Sequence, residues 1–373
     1  MKKNLGEPQF FTIDEEDYVE DWDSREHRRR VVEQREAKPI KKNVSSKKQK
    51  KKRKKRKSKL KRFLVVLLIL AIILCAGGYY LIGKAYSKMN YAEIDSVAMA
   101  PMKEEGAVNI LLIGSDSRGE SDEGRSDAMI LLSISDKTDK IYMTSMLRDM
   151  YVEIPGHKGN RLNAAYSLGG AELLMETIEL NFDIEVNRYI LVNFEAFAKL
   201  VDAVGGIELE LSSEEIEYVN GYLVEYNILM DRPQGTDNMD TSVSGLVHLN
   251  GAQALAYSRN RYLGTDFGRT ERQRKVLSAV IEKAPKALIT NPGELMNGIL
   301  PNLTTNLTQN ELLQLSMMAP KALAYEMISD SIPLAGTYQN ASIRGMDVLE
   351  VDFEANKQYL QENIYGEIVQ TQD

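Results

Sequence analysis

The chain has 373 residues, long enough for one large domain with appendages, and a hydrophobic fraction of 43% supports an ordinary buried core. Its single cysteine, Cys75, excludes an intrachain disulfide framework, and three scattered histidines (His27, His157, His248) argue against a His-rich zinc site. The net charge of −7 averages two opposite regions: 23 of the 47 Lys and Arg lie in the first 62 residues, and the remainder is strongly acidic.

Residues 1–62 read as a cytoplasmic tail. Residues 1–40 are charged and poor in apolar side chains, a composition that stays disordered. Lys41–Arg62 holds 15 Lys and Arg and no acid. A nucleic-acid role would want aromatic residues among the cations, and none are there. Attraction to anionic lipid, about 1 kcal/mol per Lys or Arg, and a topology signal explain the run better, so no nucleic-acid partner is expected. Phe63–Gly83 (FLVVLLILAIILCAGGYYLIG) carries no charge over 21 residues. At about 1.5 Å per residue it bridges the roughly 30 Å hydrocarbon core. Tyr79 and Tyr80 fall near its outer end, where aromatic rings favour the interface. Positive charge stays inside, so the expectation is a single-pass cell-membrane protein with its N-terminus in the cytoplasm and its C-terminal domain outside the cell. A cleaved signal peptide fits less well. The preceding polar stretch is far too long, and the A-x-A-like site Ala98-Met99-Ala100 lies well beyond the apolar end.

Residues 84–105 read as a juxtamembrane stalk and 106–370 as one extracellular domain, with its motifs within 108–285. The pattern predicts strands at Val108–Gly114, Ala128–Ser135, Lys140–Leu147, Tyr189–Phe194 and Ile207–Leu211. It predicts helices at Asn163–Phe182, Glu195–Gly205, Asn250–Arg259 and Arg269–Ala284, helical character from Pro301 to Ala319, and a last strand and helix in DVLEVDFEANKQYLQENIYG. Strands alternating with helices indicate a layered α/β sheet.

The chain lacks the Walker, dinucleotide, zincin and nucleophile-elbow motifs, so it is no evident nucleotide hydrolase or serine hydrolase. Three features remain. Asp116, with Arg118 just after it, follows one buried strand, and Asp127 opens the next. Two carboxylates at facing strand ends can give magnesium the hard oxygen ligands it wants, although Asp and Ser also suit plain turns. Arg148-Asp149 ends the third strand, either as a functional arginine or as a structural ion pair. Arg259, Arg261, Asp266, Arg269, Arg272 and Arg274 crowd into 16 residues of an otherwise acidic region. Arginine's planar fork binds phosphate oxygens in pairs, so Arg259, Arg261 and Arg269 read as anion ligands. Arg269 and Arg272 are one turn apart on one face, and Arg274 suits a solvated helix face. Metal carboxylates and arginines around one site are what a diphosphate requires.

The sequence resembles the LytR–CpsA–Psr family of Gram-positive bacteria. The resemblance is carried by NILLIGSDSR (109–118), RSDAMILLSI (125–134), SMLRDMYVEIPG (145–156), RLNAAYSLGGAELL (161–174), VNFEAFAKLVDAVGGIEL (192–209), HLNGAQALAYSRNR (248–261) and DFGRTERQR (266–274), in the family's order. It implies an α/β/α sandwich with a polyprenyl chain in an apolar core pocket. It also implies a magnesium-dependent (or manganese-dependent) phosphotransferase that moves an anionic glycopolymer, wall teichoic acid or capsular polysaccharide, from undecaprenyl pyrophosphate to peptidoglycan. A side activity as a pyrophosphatase is implied too. By motif, Asp116 and Asp127 would hold the metal, Arg148, Asp149, Arg259 and Arg261 would serve catalysis, and Arg118, Arg161, Arg269, Arg272 and Gln273 would bind the pyrophosphate. Arg161 stands where family members often have lysine, and Asn163 matches a polar motif position. The general base is open between Asp149 and Asp116. The alternative is a non-catalytic polyprenyl-phosphate sensor or a transcriptional regulator of envelope genes.

Overall fold

Strand β3 in the computed structural model, Ala107–Ser115, is buried on both faces, as its nearly unbroken apolar run requires. The structure describes residues 66–69, 77–94, 100–115, 126–261 and 264–366, without the side chains of Glu104 and Asp127. The chain divides into Met1–Leu67 and Leu68–Asp373, and the fold below is that of the second unit. The expected tail, Asp116, Arg118 and residues 63–65 and 70–76 of the expected span Phe63–Gly83 lie outside the described residues. Among those described, no helix is long and apolar enough to cross a membrane.

Eight strands form a mixed sheet, with β3 at its centre. In spatial order they are β1 (Asn90–Tyr91), β11 (Leu303–Thr305), β8 (Arg188–Asn193), β3, β4 (Ser126–Ser135), β5 (Lys140–Met146) and β12 (Glu326–Ile332), with β2 (Lys103–Glu104) pairing on β3. The β3–β4 and β4–β5 pairs are antiparallel, while β3–β8, β5–β12 and β1–β11 are parallel. Two short strands of residues 84–105 therefore belong to this sheet. Short antiparallel pairs lie outside it: β6 (Tyr151–Val152) with β7 (Asn160–Arg161), β9 (Ile207–Leu211) with β10 (Gly245–Leu249), and β13 (Tyr338–Ile343) with β14 (Met346–Val351).

Helices cover both faces. On one, Leu111, Ile113, Met129 and Leu131 pack with Leu174, Ile178 and Phe182 of α1 (Leu162–Phe182) and with the C-terminal Leu360 and Ile364. Helix α1 is kinked at Gly169-Gly170, where Gly170 has φ 65°, which an L side chain rarely adopts. On the other face, α2 (Phe194–Ala203), α3 (Ser213–Leu229), α4 (Gly251–Arg259) and α5 (Asp266–Thr290) share a second core with β9 and β10. Helix α6 (Gln309–Ala322) closes a third, against Val108 and Ile110.

Several elements depart from expectation. Pro301–Ala319 is not continuously helical: Leu303–Thr305 is strand β11, and α6 starts only after Thr308. The β-branched Thr304 and Thr305 suit a strand, and Thr308 with Glu311 forms a reciprocal capping box that fixes where the helix can begin. Helix α5 starts three residues earlier than Arg269, with Asp266 favourably placed in its first turn. Arg274 is not on a solvated face. It is buried and donates to Ser329 Oγ (2.8 Å) and Ser145 Oγ (2.7 Å), fastening α5 to β12 and β5.

Candidate functional site

A cavity of about 710 Å³ lies between the sheet and the second core. Leu112, Ile130, Ile190 and Val192 supply its sheet side. Helix α2 presents Phe194, Phe197 and Leu200, three residues apart, and α4 presents Leu255, Ser258 and Arg259. Helix α5 gives the cavity its polarity. Arg269, Gln273, Leu277 and Val280 succeed one another at helical spacing along one face, so the wall passes from guanidinium to amide to alkyl within three turns. Arg259, Arg261 and Arg269 gather at one end; Ile299 and Leu303 line it further along the chain.

Each arginine is held differently. Arg269 is only 2% exposed, and its Nη2 lies 2.8 and 2.9 Å from the two oxygens of Asp266 one turn earlier. Arg259 lies over the ring of Phe194, 4.5 Å from its centroid, and 3.5 Å from a Glu225 oxygen. That stacking leaves the guanidinium edge available for anions. The Arg261 backbone N–H donates to Tyr222 Oη at 3.1 Å. Gln273 has a buried Oε1 with no hydrogen-bond partner among the described residues. Gly114, near the end of the central strand β3, lets β4 approach closely here. A Cβ on it would come within 3.0 Å of Ala128 Cβ, at the point where the β3–β4 register shifts.

A chain of alternating charges adjoins this end. Arg161 lies 3.6 Å from Asp149, Asp149 lies 3.7 Å from Arg148, and Arg148 lies 3.7 Å from Asp266, which holds Arg269. Arg161 also donates to the Asp347 carbonyl in the β13–β14 hairpin (2.7 and 3.0 Å). Arg272 turns away from the cavity, and its Nη2 donates to the buried carbonyl of Asn260 at 2.6 Å. The Asn163 backbone N–H donates to the Arg148 carbonyl. On α4, burial pushes the Tyr257 phenol up to about 12, and the group is neutral at ordinary pH.

The structure thus brings Arg259, Arg261, Arg269 and Gln273 to one cavity and puts Arg148, Asp149 and Arg161 beside it. Ser115 and Ser126 are cross-strand partners, so Asp116 and Asp127 each follow one member of a pair in the chain. Asp116 and Arg118 and the side chain of Asp127 are outside the described residues, and among the described residues no group of three His, Cys, Asp or Glu could hold a metal. Phe194, Phe197, Tyr222 and Glu225 were not singled out from the sequence. The spacing of Phe194 and Phe197 fits an ordinary core face equally well.

An apolar cavity with arginines at one end fits an amphiphile with an anionic head. Residues 78–363 match the LytR_cpsA_psr family, and the chain belongs to it. It is 36% identical over 225 residues to the polyisoprenyl-teichoic acid–peptidoglycan teichoic acid transferase TagU of Bacillus mycoides (strain KBAB4), a match that covers 59% of this chain and 67% of that one. Among solved structures it is similar to TagT bound to LIIa-WTA, with a TM-score of 0.57, 27% identity and coverage of 74% of this chain and 98% of that one. It is also similar to the LytR-CPS2A-psr family protein YwtF (TagT) with bound octaprenyl pyrophosphate lipid, with a TM-score of 0.52, 26% identity and coverage of 72% and 95%.

Proposed function

We propose that the protein is a membrane-anchored phosphotransferase that attaches an anionic glycopolymer, carried on a polyprenyl pyrophosphate, to peptidoglycan. The observation that carries this reading is the cavity itself: an alkyl and aromatic interior suited to a prenyl chain, ending at Arg259, Arg261 and Arg269. The relatives' names and bound ligands supply the cargo, teichoic acid and polyprenyl lipid. The apolar run Phe63–Gly83 and its basic flank support an anchor with the domain outside the cell.

In this reading a sugar hydroxyl of peptidoglycan attacks the glycan-proximal phosphorus. A new P–O bond forms, the bond to the bridging oxygen breaks, and polyprenyl phosphate leaves with that electron pair. The hydroxyl proton passes to a base, for which Asp149 and Asp116 are the candidates. Arg259, Arg261 and Arg269 hold the phosphate oxygens, and Asp266 orients Arg269. Asp116 and Asp127 are carboxylates of the kind magnesium or manganese prefers, and the bound ion would neutralise diphosphate charge.

The test supplies full-length protein in detergent with a lipid-pyrophosphate glycan, peptidoglycan fragments and magnesium. Release of polyprenyl phosphate with glycan joined to peptidoglycan is expected. Binding of the lipid without product under any metal condition would instead establish a sensor. Transfer that survives Asp127→Ala together with Arg259→Ala would remove the site assignment.

A further inference from the structure

We propose that one end of the domain rests on the outer leaflet of the bilayer. This end is formed by the C-terminus of α5, residues 291–303 and strand β1. The proposal rests on the anchoring proposed above and adds a second, non-covalent contact with the same membrane.

Where the chain leaves the apolar run fixes which end this is. Residues 77–86 are helical, and Gly83, the last of the run, lies against the side chain of Gln309 at the start of α6. Seven residues later, Asn90–Tyr91 pairs with Thr304–Thr305, and Asn90 Nδ2 donates to the Pro301 carbonyl at 2.9 Å. The exit from the span is therefore tied to residues 301–309 on both sides.

The segment that leads into residues 301–309 begins at exposed apolar side chains. Leu288 is 65% and Ile289 is 83% exposed at the last turn of α5. From Thr290 the chain runs through short helical turns to Asn302, so Ile289 is within roughly 20 Å of Pro301 at helical rise. Tyr79, Tyr80 and Tyr91 are also exposed. Aromatic rings concentrate at membrane interfaces, and an alkyl pair gains about 25 cal/mol per Å² when it leaves water. Lys286 precedes the pair and can reach anionic headgroups. The occupant is thus a lipid surface, because the chain itself delivers one to this spot.

The contact has a consequence for the cavity. Ile299 and Leu303, which line it, belong to the same segment. A domain seated this way holds that part of the cavity wall beside the acyl chains.

Fluorescence quenching tests the seating apart from activity. Trp22 is the only tryptophan, so Ile289→Trp and Leu246→Trp are each introduced into full-length Trp22→Phe protein. Leu246 is 74% exposed, and its neighbour Gly245 lies beside Lys275, roughly 20 Å back along α5 from Ile289. Both proteins are reconstituted in vesicles of phosphatidylcholine and phosphatidylglycerol with brominated or ordinary acyl chains. The expected result is that bromination removes about half of the emission at position 289 and leaves position 246 unchanged. Quenching at 289 no greater than at 246 overturns the proposal, as does a protein that fails to float with the vesicles. A seated protein that transfers no glycan would sink the phosphotransferase reading and leave this one standing.

Discussion

Arg259 and Arg269 reach the same cavity by different physical means, and the difference predicts different mutants. Arg269 is buried and gripped by both oxygens of Asp266, so its fork is preorganised, and one edge is already committed. Arg269→Lys keeps the charge and loses the planar fork. The expected loss is about 100-fold in transfer, some 3 kcal/mol of transition-state stabilisation, with the fold intact by circular dichroism. Arg259 is more accessible and depends on the Phe194 face. Phe194→Leu keeps the apolar wall and removes the nearer of the two cation–π contacts of Arg259, worth about 0.5–1 kcal/mol, leaving the one with Tyr222 at 5.9 Å. It should raise KM a few-fold with kcat little changed, and steady-state kinetics on the lipid donor would show the split. An equal fall in kcat would mean that the ring acts in the transition state.

At the scale of elements, the helices that build the cavity are fixed by close contacts that tolerate little change. A Cβ on Gly251 would lie 2.0 Å from the Ala198 carbonyl oxygen, so α4 can approach α2 this closely only with glycine there. The Gly251 N–H also donates to Asp202 Oδ1 at 2.7 Å. Gly251→Ala should destabilise the domain by about 2 kcal/mol or more, read from the urea midpoint, because backbone must move. The Arg188–Glu311 pair, with Nε donating at 2.9 Å, ties β8 to the start of α6 in a buried setting. Arg188→Met should cost about 3–5 kcal/mol by stranding the carboxylate, and adding Glu311→Leu should recover most of it. A double mutant as unstable as the single would place the value in packing and not in charge. These same elements show what the sequence made legible. Strands β3, β4 and β5 are readable from their apolar-rich segments and helix α5 from its helical spacing, whereas α1, kinked at Gly169-Gly170, is readable from its length and helix-forming composition and shows little periodicity. Strand β12 (EMISDSI) is not readable, since its polar residues break any apolar run and its partner, β5, lies far back in the sequence. Arg274 misled for a related reason: its partners, Ser145 and Ser329, come from two strands that only the folded sheet brings together. The arginine cluster announced an anion site and set Arg259, Arg261 and Arg269 apart; the fold puts those three in one cavity wall and gives Arg272 and Arg274 partners elsewhere.

Across the whole molecule, the apolar interior and the cationic end are separable properties. Leu277 lies in the cavity two turns beyond Arg269. Leu277→Trp should block a long prenyl chain and spare a short one: binding of an octaprenyl pyrophosphate falls about tenfold or more, while geranyl pyrophosphate binds as before. Equal loss for both would mean that the tail takes another route.

Acid stability is likewise a property of the assembled domain. Lys103 from β2, Lys321 from the end of α6 and Tyr325 from the turn before β12 converge on Asp136, in the turn between β4 and β5, and hold its carboxyl well below the usual range. Burial pushes Glu311 up, but hydrogen bonds from Arg188 and Thr308 outweigh it and leave the group lowered. A carboxylate whose pKa is depressed on folding contributes stability that is fully present above its unfolded value, near 4, and is lost as pH falls through its folded value. The melting temperature should therefore stay level from pH 7 to about 5 and then drop. Asp136→Asn should melt lower at pH 7 yet fall less on acidification, because one of the groups that must be protonated is gone. Calorimetric scans of both proteins between pH 3 and 7 decide it: parallel curves would show that the Lys103–Asp136–Lys321 junction carries none of the acid sensitivity.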